Sequence, residues 1–292
     1  MEDFLKYIPL DKSWLIRMGV LDLTHGYQDI GKFLANQENL GDDLIALKRV
    51  AEKWDTEEPL NVGESGTLYR FVQFYFWKNK IDREIIKEGS LLERGACNNP
   101  GIINWTLEKL LDLDGGTTQW ASASIINGST EKITVPRYKN KLQLSYDAVE
   151  HWNSQRNDNL CWEPKYDRTI EKQAIAFINY LKTGKIYFSI NHSEDYCFGR
   201  AFELINKEIG ENIFPQIRRH ESDRLQEMEE ALEDAVNYRQ VFSEDHRVIQ
   251  AVVMKSLGSK NKINVLNPQS VNKSWPQFWN FIEYCKNFKS GQ

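Results

Sequence analysis

The sequence predicts an α/β or α+β protein, because helical and strand-like segments alternate along it. Apolar residues recur at the i, i+3 and i+4 spacing of amphipathic helices in eight segments: residues 42–54, 66–77, 105–113, 170–181, 197–209, 223–236, 245–257 and 275–287. Short runs between them have the composition of β-strands and are bounded by Gly, Asn, Pro or Lys; the clearest are residues 133–135, 185–189 and 262–266. This alternation favours a mixed fold over a helical bundle or a β-sandwich.

The chain length and one polar stretch predict two domains. The 292 residues are enough for one large core or two smaller ones. Residues 153–159 read NSQRNDN, have almost no apolar side chain to bury, and separate two segments of similar size. We therefore place a linker there.

The composition and charge of the chain argue against several classes of binding partner and cellular location. The chain has 37 Lys and Arg against 42 Asp and Glu, a net charge of −5, which argues against nonspecific nucleic-acid binding but permits a local basic pocket. Charges interrupt every apolar run well before the roughly 18 residues of a membrane span. The beginning, MEDFLKYIPLDK, lacks the apolar core of a signal peptide. We expect a cytoplasmic protein. Four scattered cysteines without a CxxC pair indicate neither a zinc site nor a disulfide framework: Cys97, Cys161, Cys197 and Cys285.

Several predicted helices begin with a cation, a hydroxyl or a glycine. Lys12, Ser13 and Arg17 lie within one and a half helical turns and can face one phosphate or carboxylate. The glycine turns at 63–67 and 115–119 each lead into a helix whose first amides can bind an anion. Each segment alone is more typical of an ordinary capped helix start.

The second half repeats this pattern more strongly. Residues 217–225 contain three Arg, one His and two acids just before a helix, and residues 245–247 and 272–276 precede the next two. Because the helix dipole opposes Arg at a helix start, an anionic ligand is one explanation, and a solvated charged turn is the other. If these helices converged, their cations would form a site for small polyanions: Lys12, Arg17, Arg224, Arg247 and Lys273.

Nine short motifs follow one another from Ile8 to the C-terminus: Lys12-Ser13-x-x-x-Arg17, Asp42-Asp43, GESGTLYR at 63–70, SLLER at 90–94, Thr117-Thr118-Gln119, Glu194-Asp195-Tyr196, HESDR at 220–224, DHR at 245–247 and KSWP at 273–276. In this order, the set resembles the enolpyruvyl transferase family, in particular its members that act on shikimate 3-phosphate.

The resemblance implies two similar domains of repeated βαβαββ units, with helix N-termini facing an interdomain cleft. Residues 11–155 would form one domain, and residues 1–10 plus 156–292 the other. The implied reaction transfers the enolpyruvyl group of phosphoenolpyruvate to the 5-hydroxyl of shikimate 3-phosphate and releases phosphate, without a metal or organic cofactor. The expected protein is a monomer whose partners are these two anions, with no nucleic acid or membrane.

The resemblance also assigns site residues. Phosphoenolpyruvate would be held by Lys12, Gly66, Arg94, Gln119, Arg224, Arg247 and Lys273. The acceptor would be held by Lys12, Ser13, Arg17, Thr117, Thr118, Gln119, Asp195, Gln216 and His220. The proton transfers would fall to Lys12, Asp195 and Glu221.

Departures from the family pattern concentrate on the acceptor side. Glu64 stands where the family has Asn, His220 replaces a Lys, and residues 140–146 contain no clear Ser-x-x-Tyr. The Pro that follows the loop Arg is absent after Arg94, and the chain is shorter than family members. Two alternatives therefore stay open: a divergent transferase with another hydroxylated acceptor, and a non-catalytic binding protein on the same fold.

Overall fold

A computed structural model describes residues 2–93, 97–115, 117–128, 139–155, 162–219, 222–259 and 261–289. The chain divides into two compact units. One comprises Leu10–Lys165, and the other comprises Met1–Pro9 together with Tyr166–Gln292. Each unit buries its own hydrophobic core.

The Leu10–Lys165 unit contains eight described α-helices and one pair of strands. In chain order these are α1 (Lys12–Thr24), α2 (Asp29–Ala35), α3 (Asp42–Lys53), β1 (Leu60–Asn61), α4 (Gly66–Asn79), β2 (Ile85–Ile86), α5 (Ser90–Glu93), a 3₁₀ helix (Pro100–Asn104), α6 (Leu107–Asp114), α7 (Gln119–Asn127) and α8 (Lys139–Gln155). Strands β1 and β2 are parallel, with Leu60 opposite Ile85. The core forms around fully buried side chains such as Leu21, Leu47 and Phe71.

The other unit begins with the 3₁₀ helix Glu2–Tyr7 and resumes at α9. Its elements are α9 (Arg168–Thr183), a 3₁₀ turn (Ser193–Asp195), α10 (Tyr196–Ala201), α11 (Lys207–Ile213), a 3₁₀ helix (Pro215–Arg219), α12 (Arg224–Asn237), β3 (Gln240–Val241), α13 (His246–Gly258), β4 (Asn264–Val265), a 3₁₀ helix (Pro268–Lys273), α14 (Phe278–Lys286) and a 3₁₀ turn (Asn287–Lys289). Strands β3 and β4 are parallel, with Val241 opposite Val265.

The predicted fold class is wrong. Of the residues that the structure describes, 66% are helical and only 4% are strand, so the fold is mostly helical and is not built from repeated βαβαββ units. Residues 185–189 form no strand, because an extended segment needs a neighbouring backbone to pair with, and Tyr187 within it is largely exposed. Residues 262–266 contain the two-residue strand β4. The run at 133–135 lies outside the described residues.

The predicted helices agree with the structure better than the predicted strands do. The segments predicted at 42–54, 66–77, 170–181, 223–236 and 245–257 correspond to α3, α4, α9, α12 and α13, each within two residues of the predicted ends. The segment predicted at 197–209 is instead two helices, α10 and α11, separated at Glu203, whose φ is +63°. Helix α1 was predicted only at its start, because residues 15–23 are buried on all sides and show no polar face. Among the described residues, no helix is both long and apolar enough to cross a bilayer.

Candidate functional site

In the Leu10–Lys165 unit, a buried ion pair joins the first turns of α1 and α3. Asp11 caps α1 by accepting a hydrogen bond from the Trp14 amide at 2.9 Å. Lys12, the next residue, places its Nζ 2.6 Å from Oδ2 of Asp43 in the first turn of α3. Both side chains are largely buried, 21% and 10% exposed. Two of the predicted motifs are therefore in contact: Lys12 of the first motif pairs with Asp43 of the Asp42-Asp43 motif.

One turn further along α1, Arg17 is enclosed by the same unit. Its Nε donates to Oγ of Ser145 at 2.9 Å, and one terminal nitrogen donates to the carbonyl of Ser13 at 2.7 Å. The other terminal nitrogen donates more weakly to Ser122 Oγ at 3.5 Å. The guanidinium lies 5.6 Å from the ring centre of Phe71. This predicted ligand-binding residue thus connects three helices, α1, α7 and α8.

The first turns of α4 and α7 also meet. Gln119, the first residue of α7, donates from Nε2 to Oγ1 of Thr67 at 3.2 Å. Asp114 accepts hydrogen bonds from the α7 amides of Trp120 and Ala121 at 2.9 and 3.1 Å. Burial raises the pKa of the Asp114 carboxyl. An acid therefore occupies amides at the start of α7 that a bound anion would otherwise use.

The flanking residues of these turns have local roles. Thr117 donates from its hydroxyl to the carbonyl of Asp114 at 3.0 Å, and Thr118 stands at the N-cap position of α7 without capping it. Gly66 opens α4, and its carbonyl accepts from Arg70.

The second group of contacts lies in the other unit, at the start of α12 and α13. Arg224, the first residue of α12, donates from Nε to Oδ2 of Asp245 at 2.7 Å. The two side chains are 5% and 0% exposed. Asp245 also caps α13, because its Oδ1 accepts from the Arg247 amide at 2.9 Å. One carboxylate therefore serves both helices.

Arg247 has a different partner. Its terminal nitrogen lies 3.1 Å from Oε1 of Glu194 in the 3₁₀ turn before α10. Arg247 is 7% exposed, whereas Glu194 is 46% exposed. Asp195, next to Glu194, is buried and accepts from the amides of Asn191 and His192 through Oδ2, at 3.0 and 3.1 Å. Thus Arg224, Arg247 and Asp195, which the resemblance assigns to one site, are linked through shared neighbours.

Cys197 lies within this second group. It is 1% exposed, and burial raises the pKa of its thiol to about 12, with Arg224 and Arg247 opposing that change. A thiol that stays protonated at neutral pH is a packing group and not a nucleophile.

Two further predicted site residues, Lys273 and Gln216, lie in 3₁₀ helices of the same unit. Lys273 ends a 3₁₀ helix, and the next residue, Ser274, accepts from Gln250 of α13 at 3.1 Å. Gln216 lies in the 3₁₀ helix Pro215–Arg219. The remaining predicted site residues, Arg94, His220 and Glu221, lie outside the described residues.

The partners of these cations cannot be recognised from the sequence. Ser122 and Ser145 stand 105 and 128 residues from Arg17 and lie within helices, so no local pattern marks them. Asp245 was noted as part of a motif. Its capping role could have been inferred from an Asp placed just before an apolar helical run, but its pairing with Arg224 could not.

The arrangement can bind a small anion where a cation can exchange its present partner. Lys12 and Arg224 are paired with buried carboxylates, whereas Arg247 is paired with one that is 46% exposed. Comparison of the chain with protein-family models, curated proteins and solved structures finds no match.

Proposed function

We propose that the chain is an enolpyruvyl transferase that moves the enolpyruvyl group of phosphoenolpyruvate to a hydroxyl of a phosphorylated acceptor, with shikimate 3-phosphate as the acceptor. The choice of reaction rests on the order of the sequence motifs. The contact that supports it is the ion pair between Arg247 and Glu194, because it leaves a cation that an incoming anion can take over.

The exposure of the two partners explains why Arg247 is the available cation. Its guanidinium is buried, while the Glu194 carboxylate is 46% exposed, so an incoming anion competes with a partner that is already partly solvated. Arg224 is less available, since its partner Asp245 is fully buried and separating the two would break a desolvated ion pair. A phosphate or carboxylate would bind Arg247 through charge-assisted hydrogen bonds.

The proposed reaction proceeds by addition and elimination. The acceptor oxygen bonds to C2 of phosphoenolpyruvate and loses its proton, while C3 gains a proton. The bond from C2 to the phosphate oxygen then breaks, C3 loses a proton, and phosphate leaves. Asp195 is one proposed proton carrier because all its described hydrogen bonds go to Oδ2. The sequence resemblance adds Glu221 as the other.

Two observations favour the open alternatives. Glu64 accepts hydrogen bonds from the amide and hydroxyl of Ser90 and is exposed, with no Arg as a described partner, which favours an acceptor other than shikimate 3-phosphate. The buried acids that neutralise Lys12 and Arg224 favour binding without turnover.

The first experiment measures phosphate release from phosphoenolpyruvate with shikimate 3-phosphate, in the wild-type chain and in Asp195→Asn. Release that depends on both substrates and falls in the variant supports the proposal. Absence of release by a chain that binds phosphoenolpyruvate overturns this assignment in favour of the alternatives.

The second experiment measures phosphoenolpyruvate binding by calorimetry. Glu194→Gln frees Arg247 and should tighten binding, while Arg247→Gln should weaken it about tenfold or more. Glu211→Gln is the matched control, because it removes an exposed pairing with Arg218 in the same unit. Equal affinities in all four proteins would contradict the role assigned to Arg247.

A further inference from the structure

A cavity of about 610 Å³ opens in the Leu10–Lys165 unit, where α3 and α4 end. Its lining includes Trp54, Tyr75 and Phe76. None of the residues assigned above to phosphoenolpyruvate, the acceptor or proton transfer lines this cavity. Its volume is in the range of small-molecule sites, about 300–1,000 Å³.

The wall of the cavity is aromatic. The ring centres of Trp54 and Tyr75 are 5.5 Å apart, and Phe76 lies 6.3 Å from each of them. Phe76 is buried, whereas Trp54 and Tyr75 are half-buried. Aromatic ring faces carry partial negative charge and attract organic cations, most strongly at Trp.

The rim of the cavity is acidic. The lining includes three exposed acids, Asp55, Glu57 and Asp82. Asp55 accepts a hydrogen bond from Gln28. In the part of the chain that the structure describes, the carboxylates of Glu57 and Asp82 have no hydrogen-bond or ion-pair partner. The rim can therefore attract a positively charged ligand.

The one Arg of the lining is already engaged. Arg83 donates to the carbonyls of Glu58, Trp54 and Lys53 at 2.7, 2.8 and 2.7 Å. The Arg83 guanidinium thus donates hydrogen bonds at the C-terminal end of α3, where carbonyl groups lack partners within the helix. A ligand that enters the cavity meets aromatic faces and carboxylates, with this guanidinium held against the backbone.

We propose that this cavity binds an organic ammonium ion that carries alkyl groups. The alkyl groups contact the faces of Trp54 and Tyr75, and the positive charge is balanced by the acids of the rim. Such a cation can be a free small molecule or a methylated lysine side chain, and the two sources share this chemistry.

Calorimetric titration of the full chain tests the proposal with three compounds. Choline represents the free cation, N-acetyl-trimethyllysine represents the modified side chain, and 3,3-dimethylbutan-1-ol is the neutral compound of the same shape as choline. The cations should bind at least about fivefold more tightly than the neutral compound. The tighter of the two cations identifies the source. Equal binding of choline and the neutral compound would overturn the proposal.

Substitutions of residues that line the cavity test whether the ligand binds there. Trp54→Leu should weaken choline binding about tenfold. Because that change also affects packing, Asp82→Asn provides a second test at an exposed side chain, with a loss of about twofold to fivefold. Glu38→Gln removes an equally exposed carboxylate that does not line the cavity and should bind as the wild type does. If Asp82→Asn and Trp54→Leu both retained wild-type affinity, the ligand would not occupy this cavity.

Discussion

Arg224 Nε donates to Asp245 Oδ2 at 2.7 Å, and neither side chain is more than 5% exposed. The pair joins the first turn of α12 to the N-cap of α13. Its Coulomb attraction offsets the cost of removing two charges from water, so the pair contributes specificity of packing more than net stability. Loss of either charge alone removes this pairing from the other buried charge.

The coupling between the two charges can be measured by a double-mutant cycle. Asp245→Asn keeps an acceptor for the α13 cap but removes the negative charge that pairs with Arg224 at 2.7 Å, and we expect it to lower the free energy of unfolding by about 3–5 kcal/mol. Adding Arg224→Met should cost much less in that background than in the wild type. Urea unfolding at pH 7 measures both. Additive effects would show that the pair is not coupled.

The burial of Asp22 should make the free energy of unfolding depend on pH. It is fully buried, Oδ2 accepts from the Ile30 amide at 2.9 Å, and Oδ1 has no partner among the described residues. Burial raises the pKa of this carboxyl from 3.8 to about 6. The native chain therefore holds this proton more tightly than the unfolded chain, and the contribution of Asp22 to stability falls as pH rises from about 4 to 6.

Asp22→Asn should remove this penalty. The amide oxygen can still accept from Ile30, and no charge forms at high pH. We expect the free energy of unfolding to increase by up to about 3 kcal/mol at pH 7.5 and to change little at pH 3.5. Asp112→Asn, at an exposed position, is the control. An equal effect of Asp22→Asn at both pH values would refute the assignment.

Residue 210 of α11 must be a glycine because the ring of Tyr196 packs directly against it. A Cβ at residue 210 would overlap this ring, which is fully buried and cannot move aside. We expect Gly210→Ala to destabilise the chain by about 1–3 kcal/mol despite the gain in helix propensity. Gly31→Ala in α2 is the matched control, since its Cβ would meet only Ala51 at an ordinary 3.4 Å. Thermal unfolding compares the two, and an equal stability change in both variants would contradict the steric argument.

Thiol labelling tests the burial of Cys197 and Cys285. Burial raises the pKa of each thiol to about 12, so almost no thiolate exists at pH 8. Iodoacetamide should label both only after denaturation, whereas half-buried Cys97 should react in the native chain. Peptide mapping by mass spectrometry identifies the modified residues. Labelling of native Cys197 at the rate of Cys97 would show that it is accessible.

The local part of the fold could be predicted from sequence because it depends on neighbours in the chain. Asp167, Asp223 and Asp245 each accept from an amide of the helix that follows, and an Asp before an apolar helical run is a strong start signal. The strands could not be predicted in this way. Strand β4 exists because β3 provides its partners, whereas the similar run at 185–189 pairs with no strand among the described residues.

By itself, the sequence determined where most helices run, and it placed basic and hydroxyl residues at their starts, since periodicity and capping act over a few residues. Only the tertiary structure decided which charges are available. Lys12, Arg224 and Arg247 look equivalent in the sequence, yet the first two have buried carboxylate partners and the third has a half-exposed one. The physical reason is that the desolvation of a charge depends on residues distant in the chain, and those residues fix how far each ion pair is shielded from water.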